Sequence, residues 1–277
     1  MKHFYGVTNS IKDPDLTFTK EVAGFISDHG GTFACGGECP ADAECVLVLG
    51  GDGTVLQAAA DTRSRQLPLL GINLGTVGYL AEIEKSGWQQ ALLQLMEGTC
   101  GIEERMMLEG HVERGGGAAD PGHPGRDMPH YALNDVVFAR TGPLRILNYD
   151  VYVNGLFLNS FNADGIIVST PTGSTAYNLS AGGPIVEPGA RMILLTPICP
   201  HTLNNRSIIF SADDFITIEI GHTSRDSFLM AEADFDGTQN VALRTGDRMV
   251  IRRAGITTRL IKLRQRSFLE TLHRKLA

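Results

Sequence analysis

The stretch that most restricts the fold is CVLVLGGDGTVLQAAA, residues 45–60. Cys45 to Leu49 offers no polar face and is too short for a surface helix, so it reads as a strand covered on both sides. Gly50-Gly51-Asp52-Gly53-Thr54 then turns the chain, and TVLQAAADTR suits a helix. A buried strand that feeds a helix through a glycine turn belongs to a parallel sheet with helices on both faces. Such a turn directs backbone N–H groups outward at a helix N-terminus, which suits a phosphate. Glycine is expected there for close approach and for positive φ angles.

The turn is neither a G-x-x-x-x-G-K-[ST] loop nor a G-x-G-x-x-G fingerprint. It places the anion Asp52 inside an anion site. Two readings stay open. Asp52 caps a helix starting near Thr54, or it faces both a hydroxyl and a phosphate, accepting the hydroxyl proton or holding Mg²⁺.

The first ~100 residues continue the alternation of strand and helix. In DLTFTKEVAGFISDHGG, Leu16, Val22, Phe25 and Ile26 share a helical face. LPLLGIN reads as a second buried strand. SGWQQALLQLMEG reads as a helix with Ser86 as N-cap, Trp88, Leu92 and Leu95 inward, and Gly98 past its end. After Cys100 short alternating strands dominate, with a hairpin about Asn154-Gly155 in YDVYVNGLFLNSF. Residues 113–130, rich in Gly and Pro, read as a loop between strands. The tail SFLETLHRKLA reads as a helix with Phe268, Leu269, Leu272 and Leu276 available for docking.

A second strand-turn-helix unit spans 163–185, ADGIIVSTPTGSTAYNLSAGGPI. Its turn carries five hydroxyls between Ser169 and Thr175, and Tyr177 follows where it could lie against a flat ring. A Ser/Thr-capped helix with a core tyrosine explains only part of that polarity. The sugars, phosphates and base of a nucleotide would use all of it. Asn134-Asp135 interrupts the apolar strand YALNDVVFA, where polar groups are unfavourable unless paired. Asp164 opens the second unit. Asp236-Gly237 in DFDGT reads first as a hairpin turn.

A net charge of −7 gives no support for broad nucleic-acid binding or for an anionic membrane surface, though it leaves room for an anionic ligand in a local pocket. No apolar run approaches the ~20 residues that span a bilayer. The N-terminus MKHFYGVTNS lacks the apolar core of a signal peptide, so a cytoplasmic protein is expected. Five cysteines form an odd set. Cys35 and Cys39 in CGGEC have no later partner pair at zinc-ligand spacing, which favours reduced thiols.

Taken in order, GGDGT (50–54), NLGTVGYL (73–80), LNDVV (133–137), DGIIVSTPTGSTAYNLSAGGPI (164–185) and PICPHTL (197–203) resemble the NAD kinase family over nearly the whole chain. GGDGT is shared with diacylglycerol and sphingosine kinases. TPTGSTAY followed by AGGPI is specific to NAD kinases. The resemblance implies transfer of the γ-phosphoryl of ATP, with a divalent cation such as Mg²⁺, to the 2′-hydroxyl of the adenosine ribose of NAD. It implies an α/β N-terminal domain with a Rossmann-like parallel sheet over 1–99, joined by the C-terminal helix 266–277. It further implies a β-rich, β-sandwich-like domain over 100–265 and a homodimer or homotetramer.

In that resemblance Asp52 matches the catalytic aspartate, proposed as general base. Gly51, Gly53, Thr54, Gly78 and Tyr79 fall in the same nucleotide site. Asn134 and Asp135 match the pair that holds NAD, and Asp164 a carboxylate near the nicotinamide end. Thr175, Ala176, Tyr177, Asn178, Leu179 and Ser180 match the segment that wraps the dinucleotide. Arg145 and Asn162 fall at ligand-contacting positions that vary, and Asp236 where relatives often carry a polar contact. Val77 and Tyr79 stand where Leu and Phe are expected. Two rival readings are a lipid or sphingoid kinase, for which STPTGSTAYN is a poor apolar lining, and a non-catalytic nucleotide-binding sensor.

Overall fold

The computed structural model describes residues 1–75, 78–115, 128–141, 146–201, 206–221, 230–263 and 268–276. Val77, Arg145 and most of the expected loop at 113–130 lie outside the described residues. The chain forms two compact units, Met1–Arg105 with Thr257–Ala277, and Met106–Ile256.

The first unit runs β1 (His3–Thr8), α1 (Thr17–Asp28), β2 (Thr32–Cys35), β3 (Cys45–Gly50), α2 (Asp52–Thr62), β4 (Leu69–Asn73), β5 (Ile83–Glu84) and α3 (Trp88–Met96). Its strands are parallel: β1 pairs with β2 and β3, and β4 with β3 and β5. All six residues of β3 are buried, as a strand covered on both faces requires. The register sets Thr8 beside Leu49 and Gly50 beside Asn73. The loops leaving β1, β3 and β4 therefore emerge together at the C-terminal edge of the sheet, where open α/β sheets bind ligands.

The core of this unit packs Phe18, Val22 and Ile26 of α1 and Leu92 and Leu95 of α3 with Leu47, Leu49, Leu70 and Ile72 of the sheet. Trp88 meets Phe18 and Phe25 edge-on, at 5.5 and 5.1 Å between ring centres. Two details differ from the periodicity. Leu16 is not on the inward face of α1: it is the exposed N-cap residue at φ 54°, and Phe18 takes the inward place. Asp13 supplies the missing cap, accepting the N–H groups of Phe18 (3.1 Å) and Thr19 (2.9 Å). Ser86 is likewise not a cap, because a 3₁₀ turn over Lys85–Gly87 leads into α3 and Gly87 is its N-cap.

The chain continues through β6 (Gly101–Glu113), β7 (His130–Ala132), β8 (Asp135–Arg140), β9 (Leu147–Val153), β10 (Leu156–Ala163), β11 (Gly165–Ser169) and α4 (Tyr177–Ser180). Then come β12 (Met192–Ile198), β13 (Ile208–Ser211), β14 (Ile216–Ile220), β15 (Met230–Phe235), β16 (Gln239–Arg244) and β17 (Arg248–Lys262), and α5 (Phe268–Leu276) closes the chain. In the second unit an antiparallel sheet ordered β13-β12-β11-β8-β15-β16 shares one apolar core with β9, β14 and β17. That core is a sandwich built from alternating inward residues: Tyr149 and Val151, Ile216 and Ile218, Val136 and Phe138, Ile166 and Val168. The hairpin between β9 and β10 turns on Asn154 (φ 51°) and Gly155 (φ 79°), the positive pair a two-residue turn requires.

The long strands β6 and β17 contribute residues to both units, so the division falls at Arg105/Met106 and Ile256/Thr257 inside regular strand. No change of composition marks such a boundary, and a sequence reading places it instead at 99/100 and 265/266. Within the first unit, α5 lies against β5 and the loop before it: Arg274 reaches Glu84 of β5 at 3.3 Å and the Lys275 ammonium stands 5.2 Å from the ring centre of Tyr79 in the loop. Leu269, expected to dock, is exposed. The side chain of Leu276 lies outside the described residues.

Candidate active site

The glycine turn after β3 is built for close approach. Gly50, Gly51 and Gly53 all keep ordinary φ, so positive backbone angles are not why glycine stands there. A Cβ on Gly50 would run into the Thr54 hydroxyl, while Gly53 faces open space. Thr54 is buried and its Oγ1 accepts the N–H of Gly51 (3.4 Å) and the amide of Asn9 (3.2 Å). The helix begins at Asp52 with Gly51 as N-cap, so the capping reading of Asp52 does not hold.

The Asp52 carboxylate turns instead to the loop after β4. Oδ2 accepts the N–H of Tyr79 (2.7 Å), and Oδ1 accepts those of Leu80 (3.0 Å) and Ala81 (3.2 Å). Gly78 precedes these donors because a Cβ there would overlap the carboxylate. Asp52 thereby fixes Gly78 and Tyr79 against the glycine turn. Oδ1 holds two N–H groups and Oδ2 one, which leaves an acceptor site on Oδ2. The Tyr79 hydroxyl titrates above its ordinary range through burial, with the Asp52 charge adding to it.

The second unit repeats the device. Register places Asp135 beside Ser169 and Phe235 beside Val136, so the loops before β8, after β11 and after β15 share one sheet edge. Asp236, in the left-handed region at φ 57°, accepts three successive N–H groups: Leu133 (2.6 Å), Asn134 (2.8 Å) and Asp135 (3.1 Å). From the other side the Asn134 carbonyl receives the N–H of Thr170 (2.8 Å), and the Leu133 carbonyl the Thr170 hydroxyl (2.6 Å). A Cβ on Gly173 would overlap the Asn134 carbonyl, so Gly173 lets the turn close onto this loop.

With its backbone held on both sides, the loop presents two side chains. The amide of Asn134 and the carboxyl of Asp135 have no hydrogen-bond partner among the described residues, although Asp135 is only 6% exposed. Burial, then the carboxylates of Asp236 and Asp234, push Asp135 up to about 7. Burial also pushes Asp236 up to about 6 against its three N–H bonds. A buried carboxyl without a cation or donor is unfavourable as an ion, and a ligand hydroxyl or amine that donates to it relieves that.

The hydroxyl-rich turn serves itself more than its composition suggests. Ser169, Thr170, Thr172 and Ser174 are buried. Ser174 bonds the carbonyls of Pro171 (2.6 Å) and Val186 (3.1 Å), and Thr170 also accepts the N–H of Gly173 (3.0 Å). Asn178 is fully buried, donating to Ser174 (3.1 Å) and Pro184 (3.0 Å) and accepting from Thr196 (2.7 Å). Its side chain is therefore an internal brace. What the segment leaves open is the 46%-exposed Tyr177 ring, Ser180, and the half-exposed Thr175, Ala176 and Leu179.

Asp164 lies 3.6 Å from the Arg140 guanidinium at the start of β11. Asn162 is exposed on β10, accepting from Asn148 (3.3 Å). Arg145 lies outside the described residues. Two residues of the first unit were missed by sequence reasoning. Asn9 braces Thr54, and Lys12 stands over the glycine turn. Their loop, NSIKDPD, reads as an ordinary polar connection, and only the register of β1 with β3 brings it to the site.

Comparison with known proteins identifies the family. The ATP-NAD kinase N-terminal domain matches residues 7–100 and the ATP-NAD kinase C-terminal domain residues 133–263. An NAD kinase of Lachnospira eligens is 43% identical over all of both chains. One of Agathobacter rectalis is 44% identical over 100% of this chain and 99% of its own. Among solved structures, yeast NADH kinase complexed with NADH aligns with a TM-score of 0.79 at 24% identity, over 100% of this chain and 87% of its own. An NAD kinase from Archaeoglobus fulgidus in complex with ATP aligns at 0.78 and 22%, over 99% and 98%. At those two identities the likeness is one of fold. Both domain matches and the full-length relatives together make this chain a member of the ATP-NAD kinase family.

Proposed function

We propose that the chain transfers the γ-phosphoryl of ATP to the 2′-hydroxyl of the adenosine ribose of NAD, giving NADP. The O2′–P bond forms, the bond from phosphorus to the β,γ-bridging oxygen breaks, and ADP leaves. The hydroxyl proton passes to Asp52, whose remaining acceptor site on Oδ2 is open to it. Family membership supports the activity as a whole. The observation that carries the residue-level reading is Asn134-Asp135: an amide and a buried carboxyl, both without partners among the described residues, on a loop locked by Asp236 and Thr170.

Ribose hydroxyls and an adenine amino group need such a mixture of donor and acceptor. Tyr177 supplies an exposed aromatic face for a ring. Thr175, Ala176, Leu179 and Ser180 line that segment, and Asp164 with Asn162 serves the nicotinamide end. Asn178 and Asp236 act as positioning residues, because their polar atoms are engaged internally.

Among the described residues no three His, Cys, Asp or Glu side chains converge as a metal cage. The donors present suit Mg²⁺ that arrives bound to the ATP phosphates and keeps its waters, with Asp52 the carboxylate at the turn. The ion would neutralise phosphate charge; the chain's own residues orient the hydroxyl and hold its proton. No helix among the described residues is long and apolar enough to cross a membrane, and we place the enzyme in the cytoplasm. Leu156 (76% exposed) and Phe157 (59% exposed), on the edge strand β10, favour self-association as a dimer or tetramer. A monomeric mass by light scattering would refute that assembly.

The test of the reaction is purified protein with ATP, Mg²⁺ and NAD, read by an NADP-specific dehydrogenase. NADP accumulation is expected, and its absence overturns the reading. ATP and NAD binding without turnover would make the chain a sensor.

A further inference from the structure

Lys12 is the cation that the glycine turn itself lacks. Its place is set by three neighbouring elements of the first unit. Asn9, at the exit of β1, accepts the N–H groups of Ile11 (3.1 Å) and Lys12 (3.1 Å) on its Oδ1 and donates its amide to Thr54 Oγ1 (3.2 Å). The Asn9 carbonyl also receives the N–H groups of Lys12 and Asp13, and Asp13 in turn caps α1. The backbone at Lys12 is thus tied to the turn that carries Asp52.

The side chain reaches across the backbone of both glycine loops. A Cβ on Gly51 would stand 3.2 Å from Lys12 Nζ, and one on Gly75 would stand 2.5 Å from Nζ and 3.1 Å from Cε. Glycine at both positions leaves the ammonium its room. No acidic side chain among the described residues lies within ion-pair distance of it.

On the NAD kinase reading above, we infer that Lys12 binds the polyphosphate of the phosphoryl donor and stabilises negative charge there as the γ-phosphoryl is transferred. A lone ammonium beside two glycine loops offers three donors to phosphate oxygens, the service lysine gives in other phosphoryl-transfer sites. A solvated surface lysine is the competing account. That account does not explain why the chain at Asn9 is braced on Thr54, or why Gly51 and Gly75 both face the ammonium.

The wild-type enzyme is compared with Lys12→Met, Lys12→Arg, Gly75→Ala and the Lys12→Met/Gly75→Ala double variant. Lys12→Met is expected to lower kcat/KM for ATP by ~10²-fold, the usual loss when one charge-stabilising donor is removed. KM for NAD stays unchanged, and Lys12→Arg recovers most of the loss. Gly75→Ala displaces a flexible side-chain end, so it folds normally and lowers kcat/KM for ATP. In the Lys12→Met background it has no further effect, the non-additivity of two changes acting through one group.

An independent readout is protection of the Lys12 amine from reductive methylation by ATP, followed by mass spectrometry. An active wild type whose Lys12→Met variant keeps its kcat/KM for ATP, or whose Lys12 gains no protection from ATP, overturns the inference. Loss of NADP formation in the wild type itself would instead overturn the reading on which it rests.

Discussion

Asp52→Asn is a sharper experiment than the removal of a base. The carboxylate accepts three backbone N–H groups, one on Oδ2 and two on Oδ1. An amide must turn its NH₂ toward one side. The less damaging orientation keeps oxygen toward Leu80 and Ala81 and sets NH₂ against the Tyr79 N–H, which now lies 2.7 Å from Oδ2. One bond to a charged group is lost there, and two donors oppose each other, for a destabilisation of about 2 kcal/mol. In a unit of this size that lowers the melting temperature by roughly 4–8 °C.

If Asp52 also takes the hydroxyl proton, turnover falls by a further ~10²-fold. Gly78→Ala separates the two effects. Its Cβ overlaps the carboxylate and pushes the loop away while leaving the base in place. Scanning calorimetry and the coupled NADP assay should show both variants destabilised alike, with Asp52→Asn much the slower in turnover. Unchanged melting in Asp52→Asn would refute the three-bond clamp. Equal turnover in the two variants would make Asp52 a positioning residue only.

Other outcomes follow from the second unit. Asp236→Ala orphans the N–H groups of Leu133, Asn134 and Asp135 and should lower stability by about 3 kcal/mol and raise KM for NAD; denaturant unfolding with an unchanged midpoint would contradict this. Asp135 is pushed up to about 7 from an unfolded value near 4, so the folded state holds the extra proton. The contribution of Asp135 to stability should therefore be greatest below about pH 4 and decline as pH rises toward 7, at up to about 1.4 kcal/mol per pH unit, a slope that Asp135→Asn removes. NAD affinity should move the opposite way, tightening as pH rises through that range, because the carboxylate accepts a ribose hydroxyl more strongly than the protonated acid does. Calorimetric titration at several pH values checks it, and a flat profile would exclude Asp135 from the contact.

How legible the site was depended on where each residue's partner lies. CVLVLGGDGT declares a buried strand and a turn because strand, turn and helix are contiguous, and TPTGSTAY with AGGPI carries enough specificity to point to the family. The donors that hold Asp52 begin 27 residues later in the chain, and those that hold Asp236 lie 101 to 103 residues earlier. No local pattern reports such pairs. Asn178 shows another limit: a polar residue in a ligand segment reads as a side-chain contact, while its NH₂ donates to Ser174 and Pro184 and its oxygen accepts from Thr196 within the fold. Lys12 was invisible for a third reason, since an exposed lysine in a polar loop has no signature until strand register carries it over the glycine turn.

In the reaction proposed for this enzyme, the γ-phosphoryl of ATP arrives on the 2′-oxygen of NAD's adenosine ribose. Phosphorus NMR of the purified enzyme with ATP, Mg²⁺ and NAD reads that directly. The expected spectrum gains a 2′-monophosphate resonance and the signals of ADP in equal amount as ATP disappears. Conversion of ATP to ADP and free phosphate, or a spectrum that does not change, would contradict it.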